Sequence, residues 1–104
     1  MRIILDWLGV WTFRLMIGDL VIFLDAYIDR VPAAPLVGIT TADVERADYV
    51  LIGHSHFDHL WGSERIAART GATIVGSYET VRLLQGSDSV PEAPLIAFAG
   101  GEPV

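Results

Sequence analysis

The sequence predicts an α+β or α/β fold built on a mixed sheet, in which strands come first and helices then alternate with strands. Three observations carry that reading. Three β-rich runs fall within the first 25 residues, at 2–8, 11–17 and 20–25. From residue 40 onwards, short apolar runs alternate with capped helical stretches, the pattern of a mixed sheet with helices on at least one face. Asp6, Arg14, Asp19 and Asp25 interrupt the longest apolar stretches, so none reaches the roughly 18 uncharged residues of a membrane-spanning helix.

Element by element, residues 2–8 read as a strand that Gly9 ends. The runs 11–17 and 20–25 are separated by Gly18-Asp19, and a two-residue Gly-X turn between such runs predicts a hairpin. The nearly continuous apolar run Leu20 to Leu24 reads as a strand buried on both faces. Pro32, Pro35 and Gly38 make residues 26–39 a loop. Thr40 followed by Asp43 resembles an N-cap with an acidic third position, which predicts a short helix through Ala47. Tyr49-Val50-Leu51-Ile52 is a short strand that runs into Gly53 and the histidines. Ser63 is placed to cap a helix through about Arg69 that Gly71 stops. Thr73 to Gly76 is another strand. Ser77 caps a second helix with Val81 and Leu84 on one face, and Gly86 ends it. Leu95 to Phe98 reads as the last strand.

Composition narrows the chemistry. The 104 residues suit one small domain. The absence of cysteine excludes a disulfide scaffold, a thiolate zinc site, an iron–sulfur cluster and a cysteine nucleophile. All 7 basic residues are arginines, so neither a Schiff-base lysine nor a phosphate-loop lysine is available. A net charge of −6 with scattered arginines argues against nucleic acid as a partner. Hydrophobic residues make up 52%, and the mean hydropathy is +0.45. That is high for a small domain, and means either membrane contact or apolar faces that another element covers. Without a spanning segment the second reading is favoured, and no membrane partner is expected. Arg2 and Asp6 with no small-residue cleavage site after them give no signal peptide, so a cytoplasmic protein is expected.

All three histidines lie within six residues, at His54, His56 and His59, with Asp58 among them. The cluster follows an apolar strand and precedes a helix, where loops on a rigid scaffold commonly carry ligands. Neutral imidazole and carboxylate suit zinc, iron or manganese. His54 and His56 are two apart, so an extended backbone projects them to the same side, where they can hold one metal. Asp58 and His59 can reach a second. Two metals about 3.5–4 Å apart can share a water and make it a hydroxide at neutral pH. The plain alternative is a solvated histidine-rich loop, which three histidines and an aspartate at this spacing disfavour.

His54-x-His56-x-Asp58-His59 after Tyr49 to Gly53 resembles the H-x-H-x-D-H signature of the metallo-β-lactamase fold superfamily. The start is also similar: a strand, Gly9, then a hairpin ending at Asp25. The resemblance spans about residues 2 to 101. It implies that residues 1–104 are the N-terminal half of a four-layer αββα fold, with two sheets sandwiched between helices. It implies His54 and His56 on the first of two divalent metal ions, zinc before manganese or iron, and Asp58 and His59 on the second. Asp58 would also be catalytic, helping to orient the hydroxide. Asp25 would lie near the metals and orient a ligand histidine, or else be a strand-end aspartate in a turn.

The family completes its site with downstream histidines and an aspartate, whereas this chain has no histidine after His59 and only Asp88 among later aspartates. Two readings follow. One is a metal-dependent hydrolase of a small-molecule ester, lactone or phosphoester, most similar to the cytosolic ascorbate-phosphate-lactonase-like branch. The other is an inactive, truncated half-domain that binds metal weakly and self-associates through its uncovered sheet. Phe57 and Trp61 either line a substrate pocket or belong to the core. Trp7 and Trp11 read as packing residues of the first sheet. The 27–39 loop, with Tyr27, Asp29 and Arg30, either covers the site or simply connects. Arg65, Arg69 and Arg82 read as solvent-facing.

Overall fold

The computed structural model describes residues 1–28, 38–53, 62–86 and 94–99. Strands β1 (Ile3–Trp7), β2 (Phe13–Ile17) and β3 (Leu20–Leu24) form an antiparallel meander. Gly18 joins β2 to β3 with φ +57, the positive φ that a II′ turn requires at its first central position. Strands β4 (Tyr49–Leu51), β5 (Thr73–Gly76) and β6 (Leu95–Ala97) then add parallel to β3. The sheet has the order β1-β2-β3-β4-β5-β6, each strand beside its predecessor in sequence.

Helix α1 (Ser63–Thr70) precedes β5 and helix α2 (Tyr78–Gln85) follows it. Ser77 caps α2 by accepting the Thr80 N–H on its hydroxyl at 3.1 Å. Val81 and Leu84 lie on the buried side of α2, as their spacing requires. Gly71 ends α1 in the left-handed conformation, its N–H bonded to the Ala67 carbonyl. The predicted helix over 40–47 is one 3-10 turn, Thr41–Asp43, with Thr40 and Asp43 forming a capping box. It stops because Val44 turns extended and is buried, while Arg69 Nε donates to its carbonyl at 2.8 Å. Arg69 therefore ties α1 to this turn as well as facing solvent.

Cross-strand register sorts the sheet into rows. Asp6, Arg14, Phe23, Val50, Ile74 and Leu95 run side by side on one face. Phe23, Val50 and Ile74 are fully buried there, in one core with Ile66 and Ala67 of α1 and Leu84 of α2. Burying an Ile66 or a Phe23 contributes about 1.5–3 kcal/mol each. At the open edge of this face Arg14 donates to Asp6 directly opposite, at 3.0 Å from Nε and 2.9 Å from Nη2.

The other face is different. Trp7, Phe13, Leu24, Leu51, Val75 and Ile96 make one row, and Leu5, Leu15, Ile22 and Tyr49 lie in the next. Leu20, Ile22 and Leu24 are only half-buried, so β3 is buried on one face and not on both as its apolar run predicts. Trp7 is 68% exposed and Trp11 59%, which corrects their reading as packing residues. The helices cover the Phe23 face, and the Trp7 face has no helix of the described residues on it. No helix of the described residues is long and apolar enough to cross a membrane.

Candidate metal centre

His54, Ser55, His56, Phe57, Asp58, His59 and Trp61 lie outside the described residues, as do Asp29, Arg30 and Asp88. The structure does show where the segment 54–61 begins and ends. It leaves the carboxyl end of parallel strand β4 through Ile52 and Gly53 and enters α1 through Gly62. In open α/β sheets ligands bind at the carboxyl ends of strands.

The described residues on either side of the segment, Gly53 and Gly62, both meet the stretch from Asp25 to Ile28, which follows β3. The Gly53 N–H donates to Asp25 Oδ1 at 2.6 Å, immediately before His54. Such a charge-assisted bond to a backbone amide is strong. Asp25 itself bonds the neighbouring strand, its N–H donating to the Leu51 carbonyl at 2.8 Å. At the far end Gly62 has φ +110, and a Cβ there would stand 2.7 Å from the Ala26 carbonyl oxygen. Gly62 is thus pressed against the chain that Asp25 starts.

A third element fixes this support from below. Thr12, fully buried, donates its hydroxyl to the Asp25 carbonyl at 2.5 Å and accepts the Tyr27 N–H at 3.1 Å. The two non-glycine residues of positive φ, among the described residues, are Val10 and Asp25, two residues before Thr12 and bonded to it respectively. A left-handed valine costs about 1–2 kcal/mol, so the fold holds this turn in place against local preference. Ala26, Tyr27 and Ile28 are buried, and the Tyr27 N–H is one of the bonds that fix the support.

Ser63 does not cap α1. Gly62 occupies the N-cap and Ser63 sits inside the helix, fully buried, its Oγ without a hydrogen-bond partner among the described residues. A buried hydroxyl left unpaired costs about 1–3 kcal/mol. It lies four residues after His59, at the margin of the ligand segment. Among the described residues no three His, Asp or Glu side chains gather into a metal site. The donor set in the sequence, three imidazoles and one carboxylate, has the chemistry that suits a borderline divalent ion. The residues present fit a metal.

Sequence reasoning singled out Asp25 but not its bond to Gly53, and it missed Thr12 and Gly62. A glycine just ahead of a helix was the available signal for Gly62. Nothing marks Thr12, a threonine between two aromatics whose partners are 13 and 15 residues away.

Residues 34–102 match the family model described as the metallo-beta-lactamase superfamily. The chain belongs to that superfamily. Within it, the chain is 37% identical over 89 residues to a UPF0173 metal-dependent hydrolase of Pyrobaculum islandicum, covering 84% of this chain and 37% of that protein. It is 31% identical over 98 residues to a UPF0173 metal-dependent hydrolase of Roseiflexus sp., covering 93% of this chain and 40% of the relative. The chain thus spans well under half the length of these relatives. Among solved structures it resembles Igni18, a metallo hydrolase from Ignicoccus hospitalis, with a TM-score of 0.75 and 26% identity over 98% of this chain and 42% of that one. CmlA, a diiron β-hydroxylase of Streptomyces venezuelae, shares the fold alone, with a TM-score of 0.66 at 18% identity over 92% of this chain and 20% of that one. The expected superfamily fold is present: a mixed sheet with two helices as part of the α/β sandwich.

Proposed function

We propose that this chain carries the first metal-binding segment of a metal-dependent hydrolase acting on an ester, lactone or phosphoester of a small molecule. The observation that supports this most is how Gly53 and Gly62, the described residues on either side of 54–61, are held. Gly53 is fastened by Asp25 and Gly62 meets Ala26, both at the carboxyl end of the parallel strands. His54 and His56 hold one divalent ion in this reading, and Asp58 and His59 the other, with zinc first and manganese or iron as alternatives. The chemistry such ions supply is acidification of water and polarisation of a carbonyl or phosphoryl oxygen. Asp58 would orient the attacking water by accepting a hydrogen bond from it on a carboxylate oxygen. Asp25 keeps the backbone at Gly53 from shifting, so that His54 starts from a fixed position. Ser55 takes no acyl group.

Every histidine of the 104 residues is in the motif, so any further imidazole ligand comes from outside them. A catalytic zinc ordinarily has three protein ligands and a water. The second reading, a half-domain silent on its own, is favoured by that shortfall. The chain by itself is therefore expected to take up zinc weakly and to turn over ester, lactone and phosphodiester substrates near background. Metal analysis after equilibrium dialysis tests the ligand assignment. His54→Ala/His56→Ala should take up markedly less zinc than wild type, and Asp58→Ala should retain more than the double variant. Equal uptake by wild type and the double variant would sink the assignment.

A further inference from the structure

Thr12 is a fixed post in the interior. It is fully buried, its N–H donates to the Gly9 carbonyl at 2.9 Å, and its carbonyl accepts the Leu8 N–H at 2.8 Å. Its main chain is therefore held within the turn between β1 and β2. Its hydroxyl works across to the end of β3, donating to the Asp25 carbonyl at 2.5 Å and accepting the Tyr27 N–H at 3.1 Å. Donating and accepting at once through one atom is what a hydroxyl supplies, and no carboxylate or amide atom does both. The Tyr27 N–H also reaches the Asp25 carbonyl at 2.7 Å, so the turn over 25–27 is closed from within and clamped from outside. The clamp decides where Asp25 points. The Asp25 N–H is held by the Leu51 carbonyl at 2.8 Å. With that end fixed, rotation about the N–Cα bond carries the Cβ and the carbonyl of Asp25 together. Its φ is +47, a region that residues with a side chain seldom occupy. Holding the carbonyl on Thr12 thus holds the Cβ too, and aims the carboxylate at Gly53, whose N–H reaches Oδ1 at 2.6 Å. Relaxation of φ to a negative value would swing the carboxylate away.

We infer that Thr12 is a positioning residue for the metal segment: by aiming the Asp25 carboxylate it sets the place from which His54 departs. This rests on the reading of His54, His56, Asp58 and His59 as metal ligands. Thr12 touches no metal in this role and acts through Asp25 and Gly53. Groups that orient ligands from behind change metal affinity about 10- to 100-fold when they are lost. The residue type follows from the geometry. Valine fills the same space but neither donates nor accepts, whereas serine keeps both bonds.

Hydrogen exchange at single amides, read by NMR, and zinc competition with a chelating dye test this on the 104-residue chain. The Val21 N–H is the internal reference, because the Asp48 carboxylate accepts it at 2.8 Å at the opposite end of β3. In Thr12→Val the exchange of the Gly53 amide, taken relative to that of Val21, should rise about tenfold or more. Its zinc dissociation constant should rise about tenfold, and Thr12→Ser should bring both quantities back to within about threefold of wild type. A Gly53 amide that Thr12→Val leaves as protected as before overturns the proposal, whatever the zinc affinity. A loosened Gly53 with unchanged zinc affinity also overturns it if His54→Ala/His56→Ala still loses zinc, since Thr12 then serves the fold alone. If that double variant keeps its zinc as well, the ligand assignment itself falls and the proposal with it. Should Thr12→Val fail to fold, the wild-type hydroxyl proton of Thr12 decides. It should exchange slowly enough to be observed, with a nuclear Overhauser contact to the Tyr27 N–H, and a proton in free exchange with water overturns the proposal.

Discussion

Gly62→Ala is expected to lower the unfolding free energy by about 3 kcal/mol or more, enough to leave a domain of this size largely unfolded near body temperature. Two terms add. The backbone there has φ +110, where an L-residue is strained by about 1–3 kcal/mol. The new Cβ would also stand 2.7 Å from the Ala26 carbonyl oxygen, a backbone atom that cannot swing aside. Relief requires either α1 to withdraw or the Asp25–Ile28 support to move, and Thr12 resists the second. Gly71 provides the internal control. It also has positive φ, +76, but a Cβ there meets nothing within 4 Å. Gly71→Ala should therefore cost only the conformational part, about 1–2 kcal/mol. Urea unfolding of both variants separates the two terms, and equal losses would show that Gly62 is not pressed on Ala26.

The second large effect is at Asp25. Asp25→Ala is expected to destabilise by about 2–3 kcal/mol, because it removes the acceptor of the Gly53 N–H and puts a residue without αL tolerance at φ +47. Asp25→Asn keeps an acceptor oxygen and tolerates that conformation, so it should cost about 1 kcal/mol or less. If the carboxylate holds the entrance of the metal segment, the two variants should also separate in zinc affinity. A loss of about tenfold or more is expected for alanine and a smaller one for asparagine. Zinc competition with a chelating dye, together with urea unfolding, reads both quantities. An alanine variant as stable as wild type, or one that binds zinc equally well, would remove Asp25 from the support.

Local signals were legible in the sequence, and distant ones were not. Gly18 between two apolar runs marked the hairpin, and Gly71 and Ser77 marked helix ends, because each acts on its own neighbours. The helix over 40–47 failed at Val44, whose burial and bond to Arg69 come from 25 residues away. Ser63 looked the better cap by residue type. Gly62 took the position because only a residue without a Cβ fits beside Ala26. At β1 the alternation showed two faces but not which one helices would cover, so Trp7 was assigned to packing and is exposed. The H-x-H-x-D-H spacing announced a ligand segment. Beyond Asp25 its support did not announce itself, since Thr12, Gly53 and Gly62 meet the Asp25–Ile28 stretch only after the sheet has formed.

The strand order β1-β2-β3-β4-β5-β6 has a consequence for how the molecule comes into being. Among the described residues no strand is inserted between two others, so each newly synthesised strand finds its docking edge already made. The first three need only tight turns, whereas β4 to β6 must each wait for a crossover segment. Short-range pairings close sooner than long-range ones, so assembly should run from the N-terminus. In pulse-labelled hydrogen exchange, amides of Phe13–Ile17 and Leu20–Leu24 are expected to gain protection before those of Thr73–Gly76 and Leu95–Ala97. The reverse sequence of protection would mean that the crossover helices, and not the meander, nucleate the sheet.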